Sequence, residues 1–285
     1  MRSLFTLLTL LFILDTAAQE RIELIEMGEL PKEVDESSGL ALASEKTFFT
    51  HNDGKKGRIY EIDDRGELLR TVNLHVDGLE DLEDMCGDDD GNIFIADIGN
   101  NKKDRLKLRV LRFHVADIRD DQVTPQAIDF LLPENGLMSK CHYDMEAMIW
   151  TRGRLYFFTK DRCDKKDNKL IVYSIPDVPG HYTAKKEGEF YWDEPEKNIK
   201  ITGADISPDG KKLALLSKNA IHFFHSYKKD QFFNGAYNYL PLPKSQKEAI
   251  AHLDSCNLYI TEEKDGDEKP KLWKINVCKL NFDTY

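Results

Sequence analysis

LEDMCGDDDGNIFIADIGNNKKDRLKLRVLRFHVA, residues 82–116, reads as one unit of a repeat. An acidic opening leads into a short apolar strand, and DDDG makes a tight turn. NIFIAD is a second strand that ends in polar residues, and RVLRFHV is a third. The same order returns in SSGLALASEKTFFTHNDGKKGRIYEIDDRGELLRTVNL (37–74) and MEAMIWTRGRLYFFTKDRCDKKDNKLIVYSI (145–175). It returns again in TGADISPDGKKLALLSKNAIHFFHSY (202–227) and KEAIAHLDSCNLYITEEKDGDEKPKLWKINV (247–277). The starting points Ser38, Glu83, Glu146, Gly203 and Glu248 stand 45, 63, 57 and 45 residues apart. Helical periodicity is nearly absent.

A unit of this length, with AIDFLL (127–132) and EGEFYW (187–192) serving as fourth strands, is a propeller blade. Each unit has an apolar sheet face that it cannot bury alone, and radial stacking on the next unit covers it. The reading is therefore an all-β fold, a β-propeller of five four-stranded blades. Six is the alternative, should one blade be hidden in the longer middle units. The last unit lacks a strand after KLWKINV, whereas RIELIEMGEL (21–30) is a strand without a sheet. Pairing them closes the ring and removes two exposed edges.

Outside the repeats, Arg2 precedes an apolar run from Leu4 to Leu14 and then DTAAQ, the pattern of a signal peptide over 1–18. The run is too short for a permanent membrane anchor, and no cysteine sits at the cut for lipid attachment. Residues 19–285 are then expected to be one exported domain, periplasmic or extracellular, without membrane insertion. A formal net charge of −11 argues against nucleic acid or anionic lipid as the main partner. The five cysteines, Cys86, Cys141, Cys163, Cys256 and Cys278, include no CxxC pair. Two bridges with one buried thiol, or five reduced core cysteines, both fit such a chain.

In a propeller the innermost strands run along the central channel. Glu83, Glu146 and Glu248 occupy the same place in three units, Asp205 lies one strand period beyond Gly203, and Glu36 precedes the first unit. Glu83, Glu146, Asp205 and Glu248 are the expected metal ligands, with Asp97 and Asn100 as outer contacts. Oxygen donors without a His or Cys cluster point to Ca2+, with Mg2+ second, and no organic cofactor is indicated. A second polar ring is expected where the second strands end, at Thr50 to Asp53, Asp97 to Asn101, Thr159 to Asp161, Ser217 to Asn219 and Thr261 to Glu263. His51, beside Asp53, and His142, near Asp144 and Glu146, are candidate general bases, and Lys160 is the base a lyase would use. No GxSxG, HExxH or P-loop is present. DDDG (88–91) and SPDG (207–210) have the look of calcium loops but are more simply tight turns.

These motifs, taken in order, resemble a family of exported bacterial β-propeller proteins. The resemblance rests on ESSGL (36–40), HND (51–53), DLEDM (81–85), DIGNN (97–101) with Arg109, and YDMEA (143–147). It continues through TKD (159–161), TGADISPDG (202–210), EAI (248–250) and TE (261–262). Leu82 stands where the family has an aromatic residue, Ala96 where it has glycine, and Asn100 where it has aspartate. The resemblance implies the fold and the polar rings rather than one activity. The functional expectation is a monomeric binding or scaffolding module whose partner is a protein, a glycan or a small molecule. A divalent-metal-dependent hydrolase of an ester, lactone or phosphate is the alternative.

Overall fold

The structure is a computed structural model that describes residues 23–102, 104–133, 144–160, 162, 169–192, 199–278 and 280. The signal-peptide segment, His142, Cys141, Cys163 and Asp161 lie outside the described residues. The chain enters on β1 (Leu24–Glu29) and then builds its first blade from β2 (Ser37–Ser44), β3 (Thr47–Asn52), β4 (Arg58–Asp63) and β5 (Leu68–Leu74). The second blade takes β6 (Leu82–Gly87), β7 (Asn92–Asp97), β8 (Leu108–His114) and, after the short β9 (Gln122–Val123), β10 (Gln126–Leu131). The third takes β11 (Met145–Thr151), β12 (Arg154–Thr159), β13 (Lys169–Pro176) and, after β14 (Gly180–Thr183), β15 (Lys185–Tyr191). The fourth is β16 (Ile201–Ile206), β17 (Lys212–Ser217), β18 (Ala220–His225) and β19 (Ala236–Pro241).

The fifth blade has β20 (Lys247–His252), β21 (Asn257–Glu262) and β22 (Lys271–Asn276) from the C-terminal end, and β1 completes it as the outer strand. Leu24 pairs with Ile275 and Glu29 with Lys271, so the ring closes through the N-terminal strand as its sequence predicts. Five blades are present. Two carry an addition that the repeat does not announce: β9 joins the outer edge of the first blade and β14 that of the second, each in parallel. Both come from the next blade along and strap neighbours together.

Five apolar clusters of described residues fill the five blade interfaces, the closing one included, where Leu40, Phe48 and Tyr60 meet Ala249, Tyr259 and Leu272. Period-two alternation explains why the interior strands read as nearly continuous apolar runs. In β12, Leu155 and Phe157 enter the cluster on one side, whereas Tyr156 and Phe158 enter the cluster on the other. In β3, Phe48 and Phe49 diverge likewise. Each such fully buried side chain contributes roughly 1.5–3 kcal/mol.

The turns use their polar residues locally. Asp88 accepts the N–H groups of Asp90 and Asn92 and the side-chain amide of Asn92, and Gly91 takes φ 88°. Asp209 accepts from the Ser207 hydroxyl and Lys211 N–H. DDDG and SPDG are therefore self-satisfied turns. Cys256 and Cys278 form a disulfide that ties the β20–β21 turn to the chain beyond β22, and Cys86 is a buried free thiol. No described helix is long and apolar enough to cross a membrane.

Candidate metal centre

Every innermost strand carries a β-bulge one residue after it begins. Between successive paired residues stands one extra residue: Ser38, Glu83, Glu146, Thr202 and Glu248. A bulge re-aims the side chain of its extra residue, and five-fold repetition brings these five to one channel mouth. Ser38 uses its hydroxyl to bond the carbonyl of Glu83 in the next blade, and Thr202 bonds that of Lys247. The three glutamates are left to the mouth itself. Two further rings flank them. The residues just before the inner strands are Glu36, Asp81, Asp144, Lys200 and Gln246, and those just after the second strands are Asp53, Ile98, Lys160, Lys218 and Glu263. Backbone bonds lock the rings together, as in Asp53 N–H to Glu36 (2.8 Å), Lys160 N–H to Asp144 (2.8 Å) and Glu263 N–H to Gln246 (2.9 Å).

Two groups of carboxylates converge here and share Glu83: Asp53, Asp81 and Glu83, and Glu83, Asp144 and Glu146, with ligand atoms in each group within 4.8 Å of one another. In the second group the protein neutralises Asp144 and Glu146. Lys160 pairs with Glu146, and Arg162 reaches Asp144 at 2.5 Å and Glu146 at 2.7 Å. The first group has no ion-pair partner among the described residues. Glu83 Oε1 is buried and receives no hydrogen bond, and burial, with Glu146, Asp53, Asp81 and Asp144 close by, pushes its pKa well up. Gly99 passes so near that a Cβ there would overlap both Glu83 Oε1 and Asp81 Oδ2. A buried acceptor without a donor, beside two more carboxylates and a glycine that keeps the space open, fits a divalent cation. The donor set is oxygen alone, which suits a hard ion. Asp53 is exposed, so the group opens towards solvent.

The other expected residues fall into different roles. Asp97 accepts the N–H of Asp81 at 2.8 Å and pairs with Arg105 at 2.9 Å. Asn100 donates its N–H to Asp144 (2.9 Å) and caps the loop at Asp104 and Arg105. Both hold ligand-bearing segments from outside. Glu248 joins neither group, its Oε1 lying 3.1 Å from Lys218. Asp205 is misplaced by the sequence alignment. The residue equivalent to Glu83 in the fourth blade is Thr202, not Gly203, so Asp205 sits three residues further on, level with Ala41, Cys86, Ile149 and Ala251. There it accepts the N–H of His252 (2.5 Å) and lies 3.2 Å from His252 Nδ1, at a cavity of about 490 Å³ at the opposite end of the channel.

His51 is likewise not in the polar ring. It pairs with Gly39, level with Ala96 and Phe158, is fully buried, and has Nδ1 3.0 Å from the carbonyl of Asn52. Burial holds its pKa below the usual histidine value. Asp53, Asp81 and Asp144, not named as ligands beforehand, carry the convergence. The DLED and HND motifs were the available signal for the first two.

Between the two ends the channel is closed by Asp84. Its counterparts in the other inner strands are Gly39, Ala147, Gly203 and Ala249. The space left by four small residues takes one carboxylate. Asp84 Oδ1 accepts the N–H of Met85 (2.8 Å), and Oδ2 accepts those of Met148 (2.8 Å) and Ala204 (3.3 Å), which joins three blades at the axis.

No family model and no curated protein matches the chain. Among solved structures it is similar to the PQQ-bound aldose sugar dehydrogenase of Streptomyces coelicolor, with 9% identity and a TM-score of 0.48 over 90% of this chain and 98% of that one. A putative oxidoreductase (glucose dehydrogenase) of Thermus thermophilus gives 10% and 0.49 over 90% and 100%. A gluconolactonase of Xanthomonas campestris gives 12% and 0.46 over 90% of each chain. No activity is carried over from likeness of this degree.

Proposed function

We propose that the protein is an exported binding propeller that holds Ca2+ at one channel mouth, between its first and second blades, and presents that ion to a ligand. The observation that carries the reading is the unpartnered, buried Glu83 Oε1 beside Asp81 and Asp53. Asp81 and Glu83 would supply the buried side of the coordination and Asp53 the solvent side. A bound Ca2+ would offset the repulsion among these acids and offer an electrophilic position to an oxygen-bearing ligand. The Cys256–Cys278 disulfide supports an oxidising compartment.

A metal-dependent hydrolase is the second reading, favoured by the exposed side of the same group. It is the weaker one because neither described base candidate is free at the mouth: His51 is sealed between blades, and Lys160 is held by Glu146. The test is calorimetric titration of chelator-stripped protein with CaCl2, on wild type and on Glu83→Gln. One equivalent of heat-producing binding that vanishes in the variant is the expected result. Absence of binding in the wild type, with the fold intact by circular dichroism, sinks the reading.

A further inference from the structure

The three rings at this mouth are not uniform in charge. In the fourth blade the corresponding positions hold Lys200, Thr202 and Lys218, and it is the one blade with no acid among them. The inner strands pack in the cyclic order β2, β6, β11, β16, β20, so the fourth blade faces the junction of the first and second across the channel. The mouth is therefore uneven in charge: the other four blades carry its carboxylates, and the ammonium groups of Lys200 and Lys218 stand on the blade opposite the first two. Lys218 is partly engaged, 3.1 Å from Glu248 and 2.7 Å from Gln246 Oε1. Lys200 is half-buried, has no ion pair among the described residues, and lies near enough to Arg162, Lys160, Glu146 and Lys218 to feel their charges. Burial, with the neighbouring charges of Arg162, Lys160 and Lys218, holds its pKa down against the opposite pull of Glu146, a carboxylate that Lys160 and Arg162 already neutralise. A cation that stands among cations is stabilised when an anion arrives.

Resting on the reading of a cation between the first two blades, we propose that the ligand of this mouth bears an anionic oxygen group, a carboxylate or a phosphate monoester. It is received between the bound cation and the Lys200–Lys218 wall. The cation alone would accept neutral hydroxyls or carbonyls equally well. It is the lysine wall that selects a charged ligand, because an ammonium–anion hydrogen bond is about twice as strong as a neutral one.

The experiment replaces Ca2+ by Tb3+ in the full mature chain and reads metal-bound water from luminescence lifetimes in H2O and D2O, before and after adding glycolate or methyl phosphate. The expected result is a fall in bound water with at least one anion. Lys200→Gln, or Lys218→Gln as the second variant, should weaken the anion response roughly tenfold, the loss of one charge-assisted bond, with Tb3+ affinity unchanged. A response to glycolate alone names a carboxylate, and one to methyl phosphate alone names a phosphate. Tb3+ that binds while neither anion alters its hydration overturns this inference and leaves the cation site standing. A response that both lysine variants keep in full overturns it too. Failure to bind Tb3+ overturns the cation site and the inference with it.

Discussion

Asp84→Asn tests whether the axis is held by a carboxylate. The side chain is fully buried, and its two oxygens accept three backbone N–H groups from three blades. Asparagine has one oxygen. If that oxygen keeps Met148 and Ala204, the amide NH2 is turned against Met85 N–H. If it keeps Met85, two donors are stranded. At least one buried N–H is therefore unpaired, at about 1–3 kcal/mol, and the bonds that survive lose charge assistance. Relief from burying a charge offsets part of this, since burial pushes the Asp84 pKa up against the pull of its three donors. A net loss of roughly 2–4 kcal/mol is expected, which lowers the midpoint by roughly 5–15 °C for a chain of this size. Urea unfolding followed by tryptophan fluorescence, with wild type alongside, measures it. A variant within about 0.5 kcal/mol of wild type would refute the reasoning, because asparagine could replace the group so cheaply only if the native carboxyl were not serving as a charged acceptor.

Gly99→Ala places a methyl group over Glu83 Oε1 and Asp81 Oδ2, so Ca2+ binding by calorimetry should be lost while the far-ultraviolet spectrum is kept; unchanged affinity would move the ion elsewhere. His222 is buried against Trp192, with Tyr237 OH 2.9 Å from Nδ1, and burial lowers its pKa to about 4. Its folded pKa lies below the unfolded value, so the unfolded chain takes the proton first. Its contribution is whole above about pH 6.5, and about 3 kcal/mol of it is lost as pH falls to about 4. His222→Gln should remove that part of the slope in urea midpoints, and parallel pH profiles for the two proteins would contradict it. Cys256→Ser with Cys278→Ser opens a loop of sequence separation 22, which should cost about 3 kcal/mol. Equal midpoints for the double variant and wild type would show that the bridge constrains little.

The sequence by itself determined what depends on local pattern. Alternating residues such as Leu155, Tyr156, Phe157 and Phe158 must bury two opposite faces, and only stacking on both sides does that. Five such units, with an unpaired strand at one end and an incomplete blade at the other, require a closed ring. Glu83 and Glu146 were legible as mouth residues because their units align without a gap. All five inner strands carry the bulge at the same place, so it shifts no unit against another. The fourth unit has no acid there to mark its start, and Thr202, followed by Gly203 as Ser38 is by Gly39, is the residue that matches Glu83. That single step from Gly203 to Thr202 carries Asp205 to the far end of the channel. His51 turned into a blade interface for the same reason, since one position along a strand reverses the face. Other features depended on contacts between segments far apart in the chain. The meeting of Asp53, Asp81 and Glu83 is a property of two blades side by side, and the crowding by Gly99 belongs to neither strand alone. Distances between chain-distant groups decide both where an ion can sit and which acids the protein has already neutralised, and these exist only once the ring has closed.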